Sequence, residues 1–133
     1  MERWSMKKDT ELWIQYAEEN ICSATILMES HLYNPSLQNA QQAVEKLMKA
    51  VLIEYAAGLT KTHSIRELAS RLETVGVAHF LTDDDIDLLD SIYLPSKYPL
   101  MSVLPDFMPD ADICRQCIHI AESLKNAVTK VLK

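Results

Sequence analysis

With only two glycines in 133 residues, this chain has almost no means of making the tight, positive-φ turns on which β-hairpins and β-sandwiches depend. The same scarcity removes the glycine-rich loops that cradle phosphates in nucleotide-binding α/β folds. The sequence is instead punctuated by caps and prolines. Apart from Pro35, the prolines fall at 95, 99, 105 and 109, a layout that predicts helices, one proline-rich loop and a last helix.

Helical periodicity fills the intervals between these stops. Asp9 or Thr10 is placed to cap a first helix that carries Trp13, Tyr16, Ala17, Ile21, Ala24, Leu27 and Met28 on one stripe and ends near Ser30 or His31. Asn34 with Pro35 reads as a cap and first helical residue, opening a second helix of about 22 residues that Gly58 closes. Thr62 or Ser64 starts a short third helix through Ile65, Leu68, Ala69 and Leu72, ended by Gly76. Thr82, followed by Asp83, Asp84 and Asp85, starts a fourth that runs to about Leu94, because acidic groups suit the positive end of a helix dipole. The loop from Pro95 to Pro109 is apolar enough to pack down. Asp110 or Asp112 caps the last helix, with Ile113, Cys117, Ile120, Leu124 and Val128 facing inward. The economical architecture is all-α, an antiparallel four- to five-helix bundle spanning residues 1–133 as one domain.

Composition narrows the functional classes. Hydrophobic residues at 48% and charged residues at 24% are ordinary for a globular protein. A net charge of −6 gives no general attraction to nucleic acid or anionic lipid, which needs clustered Lys and Arg. No apolar run approaches the ~18 residues of a membrane span, and Met1–Asp9 lacks a signal-length core, so a cytoplasmic protein without membrane contact is expected. Cys22, Cys114 and Cys117 are too few for a disulfide framework. Cys114 and Cys117 form a CxxC, but within a helix, where they read as small packing residues. His31 and His79 have no partners at ligand spacing, so no metal site and no cofactor is expected.

The stretch Gln41–Ala50, QQAVEKLMKA, carries the most chemistry. At about 100° per residue, Gln38, Gln41, Gln42, Glu45, Lys46 and Lys49 share one half of the helix, and Ala40, Ala43, Val44, Leu47, Ala50 and Val51 share the other. Taken alone this is a solvated face opposite a core stripe. Gln41, Glu45 and Lys49 form an i, i+4, i+8 ladder, and Glu45 precedes Lys49 in the stabilising orientation. The alternative is a polar pocket wall. Glu54 departs from the pattern, lying on the apolar face; the favoured reading is that the helix turns outward there, the other that a buried carboxylate finds a partner.

Several segments together resemble the HEPN domain, the helical module named for higher eukaryotes and prokaryotes nucleotide-binding. They are Trp13, AEENICSATILMESHLYNPSLQNAQQAVEKLMKAVL from Ala17, KTHSIREL from Lys61, Tyr93, and SKYP from Ser96, in the family's order and spacing over nearly the whole chain. The family's first helix commonly has Asp where this chain has Asn20, and its loop commonly has Arg, Tyr, Pro where this chain has Lys97, Tyr98 and Pro99. Asn removes a negative charge, and Lys lacks the bidentate fork of Arg.

The resemblance implies a bundle that often dimerises, and two functional styles. One is a non-catalytic or weakly active module that binds a nucleotide or phosphate-bearing ligand, or pairs with a nucleotidyltransferase-type protein in a toxin–antitoxin setting. In that style Gln42, Glu45, Lys46, Lys49, His63, Tyr93, Lys97 and Tyr98 are the candidate ligand-binding residues. The other is a metal-independent ribonuclease acting on RNA. Such enzymes share an Arg and a His separated by four to six residues; here the nearest pair is Arg115 and His119, separated by three, one as phosphate clamp and one as general base. His63 is a further candidate base. A purely structural interaction protein is the third reading.

Overall fold

The computed structural model describes the backbone of residues 6–55, 58, 61–97 and 108–132, and the side chains of the same residues except 94–97. Five helices follow in order: α1 (Lys8–Glu29), α2 (Tyr33–Glu54), α3 (Ile65–Thr74), α4 (Asp83–Lys97) and α5 (Ala111–Leu132). Among the described residues there is no strand, and no helix is long and apolar enough to cross a membrane.

Three of the expected starts are built as the sequence indicates. The Ser64 hydroxyl accepts the Glu67 N–H at the head of α3. Thr82 and Asp85 cap α4 reciprocally, the Thr82 hydroxyl taking the Asp85 N–H and the Asp85 carboxylate the Thr82 N–H. Asp110 accepts the Ile113 N–H at the start of α5. At the end of α3 Gly76 takes φ 77°, and the bonds Gly76 N–H to Glu73 O and Val77 N–H to Leu72 O complete a Schellman turn.

The start of α1 differs from expectation. It begins at Lys8, and Lys7 at its N-cap makes no side-chain cap bond; Thr10 is buried in the first turn with its hydroxyl unpartnered, so it is no cap. The acceptor comes from elsewhere. Glu54, 7% exposed, receives the Lys7 backbone N–H at 3.0 Å, while the Lys7 ammonium donates to Ile53 O at 3.1 Å. The outward-turning reading of Glu54 is therefore wrong: this buried carboxylate sits where the dipole of α1 is positive.

The α1–α2 junction is also tighter than expected. His31, at φ 62°, ends α1 in a Schellman turn through His31 N–H to Met28 O and Leu32 N–H to Leu27 O. The chain re-enters helix at once, so α2 starts at Tyr33 and Pro35 falls in its first turn, where a missing N–H is tolerated. At its other end α2 stops at Glu54, with Tyr55 as C-cap. Gly58 has φ 82° but lies three residues beyond that cap. Helix α4 extends through Pro95 to Lys97, past the expected end at Leu94.

Helix α2 is central, packing against all four others, with α1 its most extensive neighbour. Lys7 meets Glu54, and Asn20 meets Asn39 and Lys46, so α1 and α2 are antiparallel. The Cys114 thiol lies 3.5 Å from Tyr33 O, and Thr129 shares a small pocket with Met6 and Ile14. Helix α5 thus runs antiparallel to α1 and alongside α2 in the same direction. The buried stripe of α1 is Thr10, Ile14, Ala17, Ile21 and Ala24, rotated from the expected one so that Tyr16 is exposed. The α3 stripe, Ile65, Leu68, Ala69 and Leu72, is buried in full. The expected packing of the loop from Tyr98 to Phe107 lies outside the described residues; Met108, at its edge, is 79% exposed and does not pack down.

Candidate functional site

The central position of α2 buries more than its apolar stripe. With α1 and α5 on one side and α3 and α4 on another, Gln41, Glu45 and Lys49 are 1%, 7% and 6% exposed. The solvated-face reading does not hold for this ladder. Its stacking on one face follows from the i, i+4 spacing, but its covering is supplied by the chain that enters α3.

The Gln41 amide donates to His63 O at 3.3 Å, fixing the backbone ahead of α3. Glu45 receives the Lys49 ammonium at 2.9 Å on Oε2, and the same carboxylate lies 3.0 and 3.2 Å from His63 Nδ1. A carboxylate can only accept, so Nδ1 carries the imidazole proton and Nε2 is left for the solvent side. The His63 side chain is 51% exposed and stacks on Tyr93 of α4, ring centroids 5.3 Å apart and planes 12° from parallel. The result is a half-exposed aromatic pair anchored from beneath by a buried ion pair.

Beside this pair opens a cleft of ≈ 480 Å³ lined by Lys61, Thr62, His63, Ser64, Asp90 and Tyr93. Asp90, absent from the sequence-based candidates, is its organising residue. Its carboxylate accepts the Ile65 and Arg66 N–H groups at 2.7 and 3.1 Å and meets the Ser64 hydroxyl at 3.3 Å. The positive end of α3 is thus occupied by a protein carboxylate. One signal in the sequence pointed to it: Asp90 lies one helical turn before Tyr93 and so shares its face.

The sequence-based candidates do not form one site. Glu45, Lys49, His63 and Tyr93 come together. Gln42 and Lys46, one residue further on from Gln41 and Glu45, lie about 100° around α2 and face α1. There the Lys46 ammonium donates to Asn20 Oδ1 at 2.7 Å and stands 5.9 Å from the centre of the Tyr16 ring. The side chain of Lys97 and the whole of Tyr98 lie outside what the structure describes. Arg115 and His119 are both exposed on α5, and the Arg115 guanidinium is held by Asp112.

Cys114 and Cys117 are fully buried. Burial pushes both thiols up, Cys117 to about 12, so neither has the thiolate character of a reactive cysteine. They lie in the first two turns of α5, not mid-helix as expected from the sequence, and serve as packing residues because of their complete burial. No cluster of three or more His, Cys, Asp or Glu suited to a metal occurs among the described residues.

The HEPN domain family model matches residues 10–131. The crystal structure of ST0689, an archaeal HEPN homologue, is similar to this chain with a TM-score of 0.68 at 25% identity, covering 100% of both chains. No curated protein matches the sequence.

Proposed function

The chain belongs to the HEPN domain family, and on that premise we propose that it is a non-catalytic nucleotide-binding module whose ligand enters the cleft beside His63 and Tyr93. The observation that carries this reading is the buried Glu45–Lys49 pair beneath a half-exposed imidazole. A buried ion pair adds little net stability once desolvation is counted, so its value lies in fixing the ring. A flat aromatic surface held at a cleft suits a nucleobase, which binds by stacking. Lys61, exposed on the rim, supplies the cation for a phosphate. The α3 N-terminus does not, because Asp90 already occupies it.

Calorimetric titration with adenine and guanine nucleotides tests the proposal. His63→Ala is expected to weaken binding by roughly 5- to 150-fold, the equivalent of one base–aromatic stack. No nucleotide binding at millimolar concentration, or equal binding by the variant, sinks the reading. The ribonuclease alternative rests on Arg115 and His119, which are exposed on α5 and line no part of the cleft beside His63.

The module acts as a homodimer and pairs with a nucleotidyltransferase-type protein of the kind found in toxin–antitoxin systems. Exposed Leu12 and Ile26 on α1 and Val131 on α5 support a protein–protein surface. Sedimentation at micromolar concentration should give twice the monomer mass; a monomer mass contradicts the dimer.

A further inference from the structure

From the side-chain contacts between α1 and α2 we infer a second binding site, for an oxyanion of the phosphate class, centred on Lys46 and separate from the His63 cleft. The other cations whose contacts are described are compensated or engaged. Lys49 is paired with Glu45, Arg66 with Asp87 and Asp83, Arg115 with Asp112, and Lys7 is spent on Ile53 O. Lys46 is different. Its ammonium is half-buried and oriented, yet its partners are an amide oxygen and an aromatic ring, Asn20 Oδ1 at 2.7 Å and Tyr16 at 5.9 Å. Neither neutralises the charge, and among the described residues no carboxylate lies within ion-pair distance of it.

The acids next in sequence are turned away. Glu45, one residue before Lys46, is committed to Lys49 and His63. Glu19, one residue before Asn20, lies about 100° around α1 and is exposed.

The amide partner of Lys46 is also held in place. Asn20 Nδ2 donates to Asn39 Oδ1 at 2.9 Å, and Asn39 Nδ2 donates to Pro35 O at 2.9 Å. This chain of amides fixes which end of Asn20 faces the ammonium: the oxygen, since the nitrogen is occupied. Gln42 lies one turn before Lys46 on the same helical face and is half-buried, and among the described residues its amide has no hydrogen-bond partner, which leaves it available as a second donor. A preorganised, uncompensated ammonium with a neighbouring amide donor is what an oxyanion requires, because the charge-assisted bond forms without first breaking an internal ion pair. Two sources of the same group fit, a free phosphate and the phosphodiester of an RNA strand.

The test follows the side-chain NH₂ resonances of Asn20 and Gln42 by NMR while the intact protein is titrated with inorganic phosphate and, separately, with a short single-stranded RNA. Saturable shifts with phosphate assign a free-phosphate site, and saturable shifts with the RNA alone assign a backbone site. No saturable shift with either overturns the inference. Asn20→Asp places a carboxylate against Lys46 without moving it and should weaken binding roughly tenfold or more, the loss of one charge-assisted hydrogen bond. Lys46→Gln should do the same, and an undiminished affinity in both variants overturns the site. His63→Ala is expected to leave these shifts unchanged while reducing nucleotide affinity, which separates failure of this site from failure of the His63 cleft.

Discussion

Glu45→Ala should cost about 3–5 kcal/mol of unfolding free energy, the range found when one partner of a buried ion pair is removed. Lys49 is 6% exposed and the Glu45 carboxylate is its ion-pair partner, so the substitution leaves a buried cation that has lost its compensating oxygen. The same carboxylate holds His63 Nδ1, so the ring is freed as well and the cleft loses its fixed wall. Replacing both charges together, Glu45→Met with Lys49→Met, removes the stranded cation and should return stability to within about 1 kcal/mol of the parent. The double variant still lacks the His63 anchor, so it is expected to fold without binding nucleotide. Urea unfolding and nucleotide titration on the three proteins check this. A single variant that loses less than about 1 kcal/mol would mean that Lys49 reaches solvent on its own.

The contrast between the two variants separates what was legible in the sequence from what was not. Ser64, Thr82, Asp110 and Gly76 could be read because a cap is a local event, settled within three or four residues. The apolar stripes of α3 and α5 could be read for the same reason. Gln41, Glu45 and Lys49 could not. Their periodicity placed them on one face, but whether that face meets water depends on residues some twenty positions later in the chain, the strand of backbone through His63 that crosses it. Glu54 failed in the same way, since its partner is Lys7, 47 residues away. The rotated stripe of α1 has a related cause: Thr10 and Ala17 suit a close approach to α2 better than Tyr16 does, and small residues are easily overlooked when large apolar ones are counted.

The candidate site repeats this lesson at the level of function. Glu45, Lys49, His63 and Tyr93 were identified and meet, whereas Gln42 and Lys46 were identified and point elsewhere. A family-like run of polar residues on one helix carries no information about which neighbour each turn will face. In this fold α2 has α3 and α4 on one side and α1 on another, so a single polar run serves two surfaces. The same polar run thus contributes to both proposed sites, Glu45 and Lys49 beneath the His63 cleft and Lys46 on the side facing α1.

Asp90→Ala should remove about 2–3 kcal/mol, concentrated in α3, because it deletes charge-assisted bonds to two backbone N–H groups and the Ser64 hydroxyl at once. The Ile65 and Arg66 N–H groups belong to the first turn of α3, where no carbonyl within the helix can serve them, and the Asp90 oxygens lie 2.7 and 3.1 Å away. Ser64 keeps its own bond to the Glu67 N–H, so the helix is weakened at its head and not abolished. Asp90→Asn retains one carbonyl oxygen but no charge and should fall between the parent and the Ala variant. Helix α3 carries the entry to the cleft, so its amides should exchange with solvent faster in Asp90→Ala while those of α1 and α2 hold their protection. Hydrogen exchange resolved by residue distinguishes this from a uniform loss. If α3 keeps its protection in Asp90→Ala, then Ser64 alone caps the helix and Asp90 stands in the cleft free to meet a ligand.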